Sequence, residues 1–515
     1  MKVLGSYASG EWFVGNGKRQ TLLNPATEEP VADISSEGLD LAAAFTFARE
    51  VGGAELRSMT FAHRAEVLLA ASRAIHKERE HLLDLATENG GNTRGDAKFD
   101  VDGASGTLAF YANLGKELGN KKVLADGDAA QLSRGPRFVG QHVFVPRRGV
   151  ALLINAFNFP AWGFGEKAAC AWLAGMPIIM KPATSTALVA TRIVELLVEQ
   201  NIVPKGAITL LNGPAGSLTD HVGGEDVLSF TGGSKTAAML RALPAVVSQS
   251  LRINIEADSL NAAVLGADVE VGSDLWNAFL RDVSRDITQK AGQKCTAIRR
   301  VFVPKDRVAD VTEALAERLR EVIVGNPKED SVTMGPVATA AQLVDVRAGI
   351  ERLAAEATYV LGDKAFQPVG APAGKGFFVP PTLFSSEDPG KQNAVHAHEV
   401  FGPCASVLGY ENPEGAITGV RRGGGALVSS IYSDDRALST EFALGLGSAH
   451  GRLVITNAKI CEQTVGPGTV LPHSIHGGPG RAGGGEELGG LRGLAFYSHR
   501  VALQGDRTLF EAMLA

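Results

Sequence analysis

Cysteine is scarce in this chain. Only Cys170, Cys295, Cys404 and Cys461 occur among 515 residues, without a Cys-x-x-Cys pair and without a His/Cys cluster at zinc spacing, so neither disulfides nor a metal site is expected. Long apolar runs are missing as well. No window approaches the roughly 18 residues of a membrane span, and Met1 to Tyr7 runs into Gly10-Glu11 with no signal-peptide core. No membrane contact and a cytoplasmic location are expected. Nor is there an excess of positive charge: the formal net charge is −6 and the basic side chains are scattered, which argues against nucleic acid or an anionic membrane as a partner. What remains, 45% hydrophobic and 21% charged residues, is the make-up of a globular protein long enough for two or three domains.

Strand-like and helix-like windows alternate, predicting an α/β fold with a mostly parallel sheet covered by helices. Gly149 to Ile154 reads as a buried strand, Trp162 to Trp172 as a helix, Pro177 to Met180 as a second strand and Ser185 to Glu199 as a second helix. Ala207 to Leu211 and Val227 to Phe230 continue the rhythm, followed by the turn Thr231-Gly232-Gly233-Ser234 and a helix from Thr236 to Leu243. Backbone N–H groups in such a turn can approach a pyrophosphate. Gly163 to Ala168 matches the letters of a G-x-G-x-x-A dinucleotide fingerprint but falls inside a predicted helix, so it is read as a decoy.

Three residues suggest a reaction. A lone Cys is most often a small buried hydrophobe, yet Cys295 lies in the Gly-flanked passage Gly292-Gln293-Lys294-Cys295-Thr296, ahead of the Val-rich run 300–303. Glu256 follows Ile253-Asn254-Ile255 and Asn155 follows Leu153-Ile154, so each stands at the end of an apolar run, where a strand would end. A thiolate can add to an aldehyde carbon, an amide N–H can stabilise the oxyanion so formed, and a carboxylate with a raised pKa can draw a proton from the water that hydrolyses the resulting thioester. Cys295, Asn155 and Glu256 are the candidates for those tasks, with the backbone N–H of Cys295 as a second oxyanion donor.

Phe157-Asn158-Phe159-Pro160-Ala161-Trp162, Lys181-Pro182-Ala183, Phe230-Thr231-Gly232, Glu256, Gly292-Gln293-Lys294-Cys295 and Glu399-Val400-Phe401-Gly402-Pro403 follow one another along the chain. In that order they resemble the aldehyde dehydrogenase superfamily over nearly the whole length. The resemblance implies an aldehyde dehydrogenase fold with a Rossmann-type cofactor domain that lacks the usual fingerprint, an α/β catalytic domain and a small β oligomerisation arm. It implies an NAD(P)-binding domain over 1–130 and 151–257, a catalytic domain over 258–475, and the arm and C-terminal segment over 131–150 and 476–515. It also implies that Cys295 is the nucleophile, Glu256 the general base and Asn155 the oxyanion donor. Glu399 would hold the nicotinamide ribose, Phe401 would flank the nicotinamide ring, and Phe159 and Trp162 would line the substrate tunnel.

The wording Ile154 to Pro160 and the Gly-rich tail His476 to Gly490 resemble the branch that acts on CoA-linked semialdehydes from aromatic-ring catabolism. One form of that branch is fused to a hydratase; a chain stopping at residue 515 is expected to be the free-standing form. Gly477 to Gly493 would be a flexible linker by composition, but the resemblance implies an ordered loop near the substrate entrance. With Val139 to Pro146, the C-terminal arm would exchange strands with a neighbour, so a homodimer is expected, with a tetramer as the alternative.

Cofactor choice rests on charge. Relatives that prefer NAD commonly carry an acidic residue where this chain has Thr184, and a carboxylate there would repel a 2′-phosphate that Lys181 could pair with. NADP is expected, with NAD as the alternative; the lesser reading is that Thr184-Ser185 only caps the next helix, since Ser and Thr are common there. Gly233 stands where the family usually has Ser, which follows only at Ser234, and Glu256-Ala257-Asp258-Ser259 replaces the usual Glu-Leu-Gly-Gly. His396-Ala397-His398 reads as a solvated loop. Two other functions fit the same residues: an acylating dehydrogenase, in which a CoA thiol resolves the thioester, and a non-catalytic binding protein that keeps the fold.

Overall fold

The computed structural model describes residues 2–362 and 366–514. Two seven-stranded sheets carry the chain. In the first, Arg252–Glu256, Val227–Thr231, Ala151–Ile154, Ile178–Lys181 and Ile208–Leu210 run parallel in that order, and the antiparallel pair Ser6–Ala8 and Glu11–Phe13 closes one side. Its strands are short and almost wholly buried, because helices cover both faces; apolar runs without alternation are what that burial demands. The second sheet has the order Thr358–Leu361, Thr382–Ser386, Cys404–Tyr410, Ile298–Pro304, Asn261–Leu265, Ala426–Tyr432 and His450–Thr456, parallel except for its first strand.

The expected rhythm from Gly149 onward matches in kind and nearly in bounds: the helices are Trp162–Ala174, Ala187–Glu199 and Ser234–Arg241. The fingerprint-like Gly163 to Ala168 lies within the first of these. Helix Arg94–Leu118 packs along it so closely that a Cβ on Gly103 would stand 2.2 Å from the Trp162 ring. Its Asp100 accepts from the backbone N–H of Trp162 at 2.7 Å and of Ala161 at 3.3 Å, capping the neighbouring helix from outside.

A third sheet stands apart, with Phe138–Pro146 flanked by Ser498–Asp506 and Leu124–Gln131, all antiparallel and all from one chain. Leu124–Gln131, placed by sequence at the end of the first segment of the cofactor domain, thus pairs with the arm. The Gly-rich tail forms a hairpin, Ile475–Gly478 against Gly485–Leu488, then a short helix Leu491–Phe496. Gly477 and Gly478 fit because a Cβ on either would meet a backbone carbonyl at 1.8 or 2.3 Å. Among the described residues no helix is long and apolar enough to cross a membrane.

Candidate active site

Four neighbouring strands end in residues of interest. Thr231 is in register with Glu256, Phe230 with Ile154, and Ile154 with Lys181, so Glu256, Thr231, Asn155 and Lys181 emerge in a row from the carboxyl edge of the first sheet. That rim is where open α/β sheets take ligands.

Cys295 comes from the other sheet. Helix Asp274–Thr288 ends in a kinked turn in which Lys290, Ala291 and Gly292 have φ of 54°, 52° and 69°. Left-handed backbone at non-glycine residues costs on the order of 1–3 kcal/mol each, and the surroundings impose it. Asn261 Nδ2 donates to the carbonyls of Cys295 and Ala297 at 2.8 and 2.9 Å, Thr296 Oγ1 to Gly468 O at 2.8 Å, and Asn158 Nδ2 to Gln293 O at 3.0 Å. Arg299 ties this loop to the segment bearing Glu399 and Phe401. Its guanidinium donates to Lys294 O at 3.1 Å and Gly402 O at 3.0 Å, and lies 3.5 Å from a Glu399 oxygen and 5.4 Å from the Phe401 ring centre.

Two cavities meet at Cys295. A narrow, mostly apolar one of about 40 Å³ is lined by Phe99, Phe159, Trp162, Glu166, Lys167, Val470 and His476. An open cleft of about 620 Å³ is lined by Phe157, Phe230, Gly232, Gly233, Thr236, Glu399 and Phe401. Asn155, Ala156, Asn158, Thr231, Glu256 and Cys295 line both. The Asn155 amide has no hydrogen-bond partner among the described residues, which leaves it free to donate to a ligand; Asn158 commits one N–H to the Cys295 loop and keeps the other.

The electrostatics depart from expectation at Glu256. Burial by itself would raise its carboxyl, but His476 Nε2 stands 3.1 Å from Glu256 Oε2, with the Lys167 ammonium behind it, and together they hold the carboxyl below its ordinary range. The raised pKa expected for this base is therefore corrected: the neighbours of Glu256 pull its carboxyl down. Thr231 Oγ1 also donates to it at 3.3 Å. Burial lowers the His476 imidazole, and Glu256 raises it by more. Burial and the same carboxylate push the Cys295 thiol well above its usual value.

The remaining predicted residues divide. Phe230, Thr231, Gly232, Gly233, Glu399 and Phe401 line the open cleft, and Phe159 and Trp162 the narrow cavity. Lys181 faces a different cleft of about 620 Å³, shared with Lys18, Arg19, Ser36 and Ser217. Thr184 is not a cap: its Oγ1 donates to Gly213 O at 3.1 Å and stands 3.4 Å from Lys181 Nζ, and no side-chain cap is made at either adjoining helix start. Ser234 lines neither Cys295 cavity; it opens a helix, with its N–H donated to Asp258 Oδ1 at 3.0 Å. Asp258, from the unusual Glu256-Ala257-Asp258-Ser259 passage, thus helps hold the Gly232-Gly233 turn, and Ser259 N donates to Glu399 Oε2 at 2.9 Å. The solvated reading of 396–398 holds for exposed His398, whereas His396 is buried against Arg300 at 3.1 Å.

Sequence reasoning missed His476, the buried Glu166–Lys167 pair at 2.5 Å, Arg299, and Glu487, whose carboxylate accepts from Ser229, Asn254 and Tyr497 at 2.8–3.3 Å. His476 was visible only as the first residue of a glycine-rich tail, and nothing local in the chain points from it to Glu256 or Cys295.

A model of the aldehyde dehydrogenase family matches residues 12–500. The chain is 43% identical over 477 residues to the 3,4-dehydroadipyl-CoA semialdehyde dehydrogenase of Aromatoleum evansii, covering 92% of this chain and 93% of that protein. It is 27% identical to the non-phosphorylating aspartate-semialdehyde dehydrogenase of Halomonas elongata, over 84% and 83% of the two. A point mutant of betaine aldehyde dehydrogenase from Staphylococcus aureus, solved with NAD+, superposes with a TM-score of 0.84 over 98% of this chain and 96% of that one; at 24% identity it shows a shared fold.

Proposed function

The chain belongs to the aldehyde dehydrogenase family, and on that premise we propose that it oxidises a CoA-linked semialdehyde to the carboxylic acid with NADP. The observation that carries this reading is the pair of cavities meeting at one thiol: a small, mostly apolar cavity on one side of Cys295 and a larger cleft on the other. The apolar walls Phe99, Phe159, Trp162 and Val470 suit the hydrocarbon next to an aldehyde group, and the similarity to the Aromatoleum enzyme points to the CoA thioester.

In this reading Cys295 adds to the aldehyde carbon and the new oxyanion accepts from the Asn155 amide, from the second N–H of Asn158 and from the Cys295 backbone N–H; one such donor is worth about 3 kcal/mol of barrier. A nicotinamide dinucleotide bound in the open cleft supplies the hydride acceptor. The cleft fits one: Phe401 is held beneath the Arg299 guanidinium, Glu399 faces the space, and Gly233 presents backbone with nothing within 4 Å of its Cβ position. Loss of hydride leaves a thioester on Cys295. Glu256 then takes a proton from the attacking water as it turns from His476, since that turn removes the 3.1 Å contact that pulls its carboxyl down and weakens it as a base.

Preference for NADP rests on Lys181 and Thr184. Burial pushes the Lys181 ammonium down to about 8, and it makes no ion pair among the described residues. With Lys18 and Arg19 it lines a cleft suited to a ribose phosphate. The three-stranded arm, with Leu124–Gln131 and Ser498–Asp506 as its open edges, is the surface by which two copies associate, in the cytoplasm.

Reduced-cofactor formation with a panel of aldehydes tests the proposal, comparing simple aliphatic aldehydes with C6–C8 semialdehydes carrying CoA. NADPH formed only, or far faster, from the CoA-linked members is expected. Equal rates on unactivated short aldehydes would overturn the substrate assignment, and acyl-CoA formation dependent on free CoA would replace hydrolysis by acylation.

A further inference from the structure

Sγ of Cys295, a ring nitrogen of His476 and a carboxylate oxygen of Glu256 all lie within 4.8 Å of one another. His476 Nε2 stands 3.1 Å from Glu256 Oε2 and 3.9 Å from Cys295 Sγ. A nucleophile–histidine–carboxylate relay uses both imidazole nitrogens, one for each partner. Here a single nitrogen faces both, so the three donor atoms converge on a common point and form no chain.

That convergence matches a transition-metal site. Zn²⁺ takes thiolate sulfur at about 2.3 Å and imidazole nitrogen or carboxylate oxygen at about 2.0–2.2 Å, which places tetrahedral donors roughly 3.3–3.6 Å apart. The His476–Glu256 and Cys295–His476 separations, 3.1 and 3.9 Å, lie on either side of that range, and the third pair is within 4.8 Å. The three groups line the cavity of about 40 Å³, where a water, needing about 10–15 Å³, can fill a fourth position. Glu256 Oε1 is buried with no partner among the described residues, so the carboxylate has an uncommitted oxygen. Thr231 Oγ1 and the hairpin Ile475–Gly478 fix the orientation of Glu256 and His476.

We propose that Cys295, His476 and Glu256 bind one Zn²⁺, with water as the fourth ligand, and that this metal reversibly inhibits the enzyme. Binding displaces the proton of the Cys295 thiol, and that of the His476 imidazolium, into solvent and changes no oxidation state. Sulfur held on the metal cannot add to an aldehyde, and Glu256 is occupied. Metal binding does not depend on the proposed function; only its inhibitory consequence does.

The test uses the reduced full-length protein freed of chelator. Titration with Zn²⁺ against a chromophoric competing chelator should show one ion per chain, at least tenfold weaker in His476→Phe, with Cys295 protected from iodoacetamide until EDTA is added. Binding of equal strength in His476→Phe, or no protection of Cys295, would overturn the site. Co²⁺ on the parent protein gives a readout free of folding effects: a thiolate-to-cobalt charge-transfer band with intense tetrahedral d–d bands is expected, and an octahedral spectrum without that band refutes the proposal. Zinc binding with no activity on any aldehyde would count against the proposed function while sustaining the site. Activity insensitive to zinc, with no ion bound, would do the reverse.

Discussion

A Cβ on Gly292 would stand 2.1 Å from the carbonyl oxygen of Gly402, so the loop bearing Cys295 rests backbone against backbone on the residue that follows Phe401. With φ of 69° at Gly292 as well, two independent constraints call for glycine. Gly292→Ala is expected to separate Cys295 from the Glu399–Phe401 segment, lowering kcat at least tenfold and destabilising the chain by roughly 1–3 kcal/mol. Thermal melts and steady-state rates check this; a variant with the parent's melting temperature and kcat would remove the argument.

The two halves of the reaction separate by mutation. Cys295→Ala should reduce turnover by about 10⁴-fold or more while the protein still binds cofactor. Glu256→Gln should release a single burst of reduced cofactor and then stall, because thioester hydrolysis loses its base. Rapid-mixing fluorescence distinguishes them, and a full steady-state rate from Glu256→Gln would assign the base elsewhere.

Under the proposed NADP preference, cofactor choice should respond to charge beside Lys181. A carboxylate introduced by Thr184→Glu lies within reach of Lys181 Nζ, which is 3.4 Å from Thr184 Oγ1 in the parent. NADPH affinity should fall about tenfold or more, on the order of 1.4 kcal/mol, with NADH affinity nearly unchanged. Fluorescence titrations with both cofactors decide it, an equal loss for the two being the adverse result.

Stability should carry a signature of Glu487. Burial pushes its carboxyl up to about 7 from an ordinary 4.5, against the pull of Lys167 and the donors around it. Between those values the folded chain holds a proton that the unfolded chain has released, so this group's contribution is present below pH 4.5 and is lost as pH rises to about 7. Its ceiling is ~3 kcal/mol. Melts of the parent and of Glu487→Gln from pH 5 to 8 should therefore show the parent losing stability relative to the variant as pH increases. A difference that does not change with pH would contradict the burial argument. Glu399, pushed up to about 7 by burial despite the pull of the Arg299 guanidinium, contributes with the same sign.

Much of the scaffold was legible because parallel strands buried on both faces must be short apolar runs, and such runs announce themselves between turn residues. Asn155, Lys181, Thr231 and Glu256 could each be placed at a strand end from that pattern. The arm was only half legible: Val139 to Pro146 was placed, but its partner Leu124–Gln131 has few apolar residues and is largely exposed, leaving little period to detect. The alternative reading of Thr184 as a cap rested on how common the residue type is there, and only the direction of its hydroxyl, toward Gly213, excluded it.

The chain alone determined which groups are present and on what kind of element each sits, since backbone preference and burial period are encoded among near neighbours. Tertiary structure decided how those groups behave. Glu256 owes its lowered pKa to His476, 220 positions further along, and Cys295 is flanked by the same imidazole. Coulomb interactions depend on separation in space, and no spacing rule along a chain reports the distance between residues carried by different sheets.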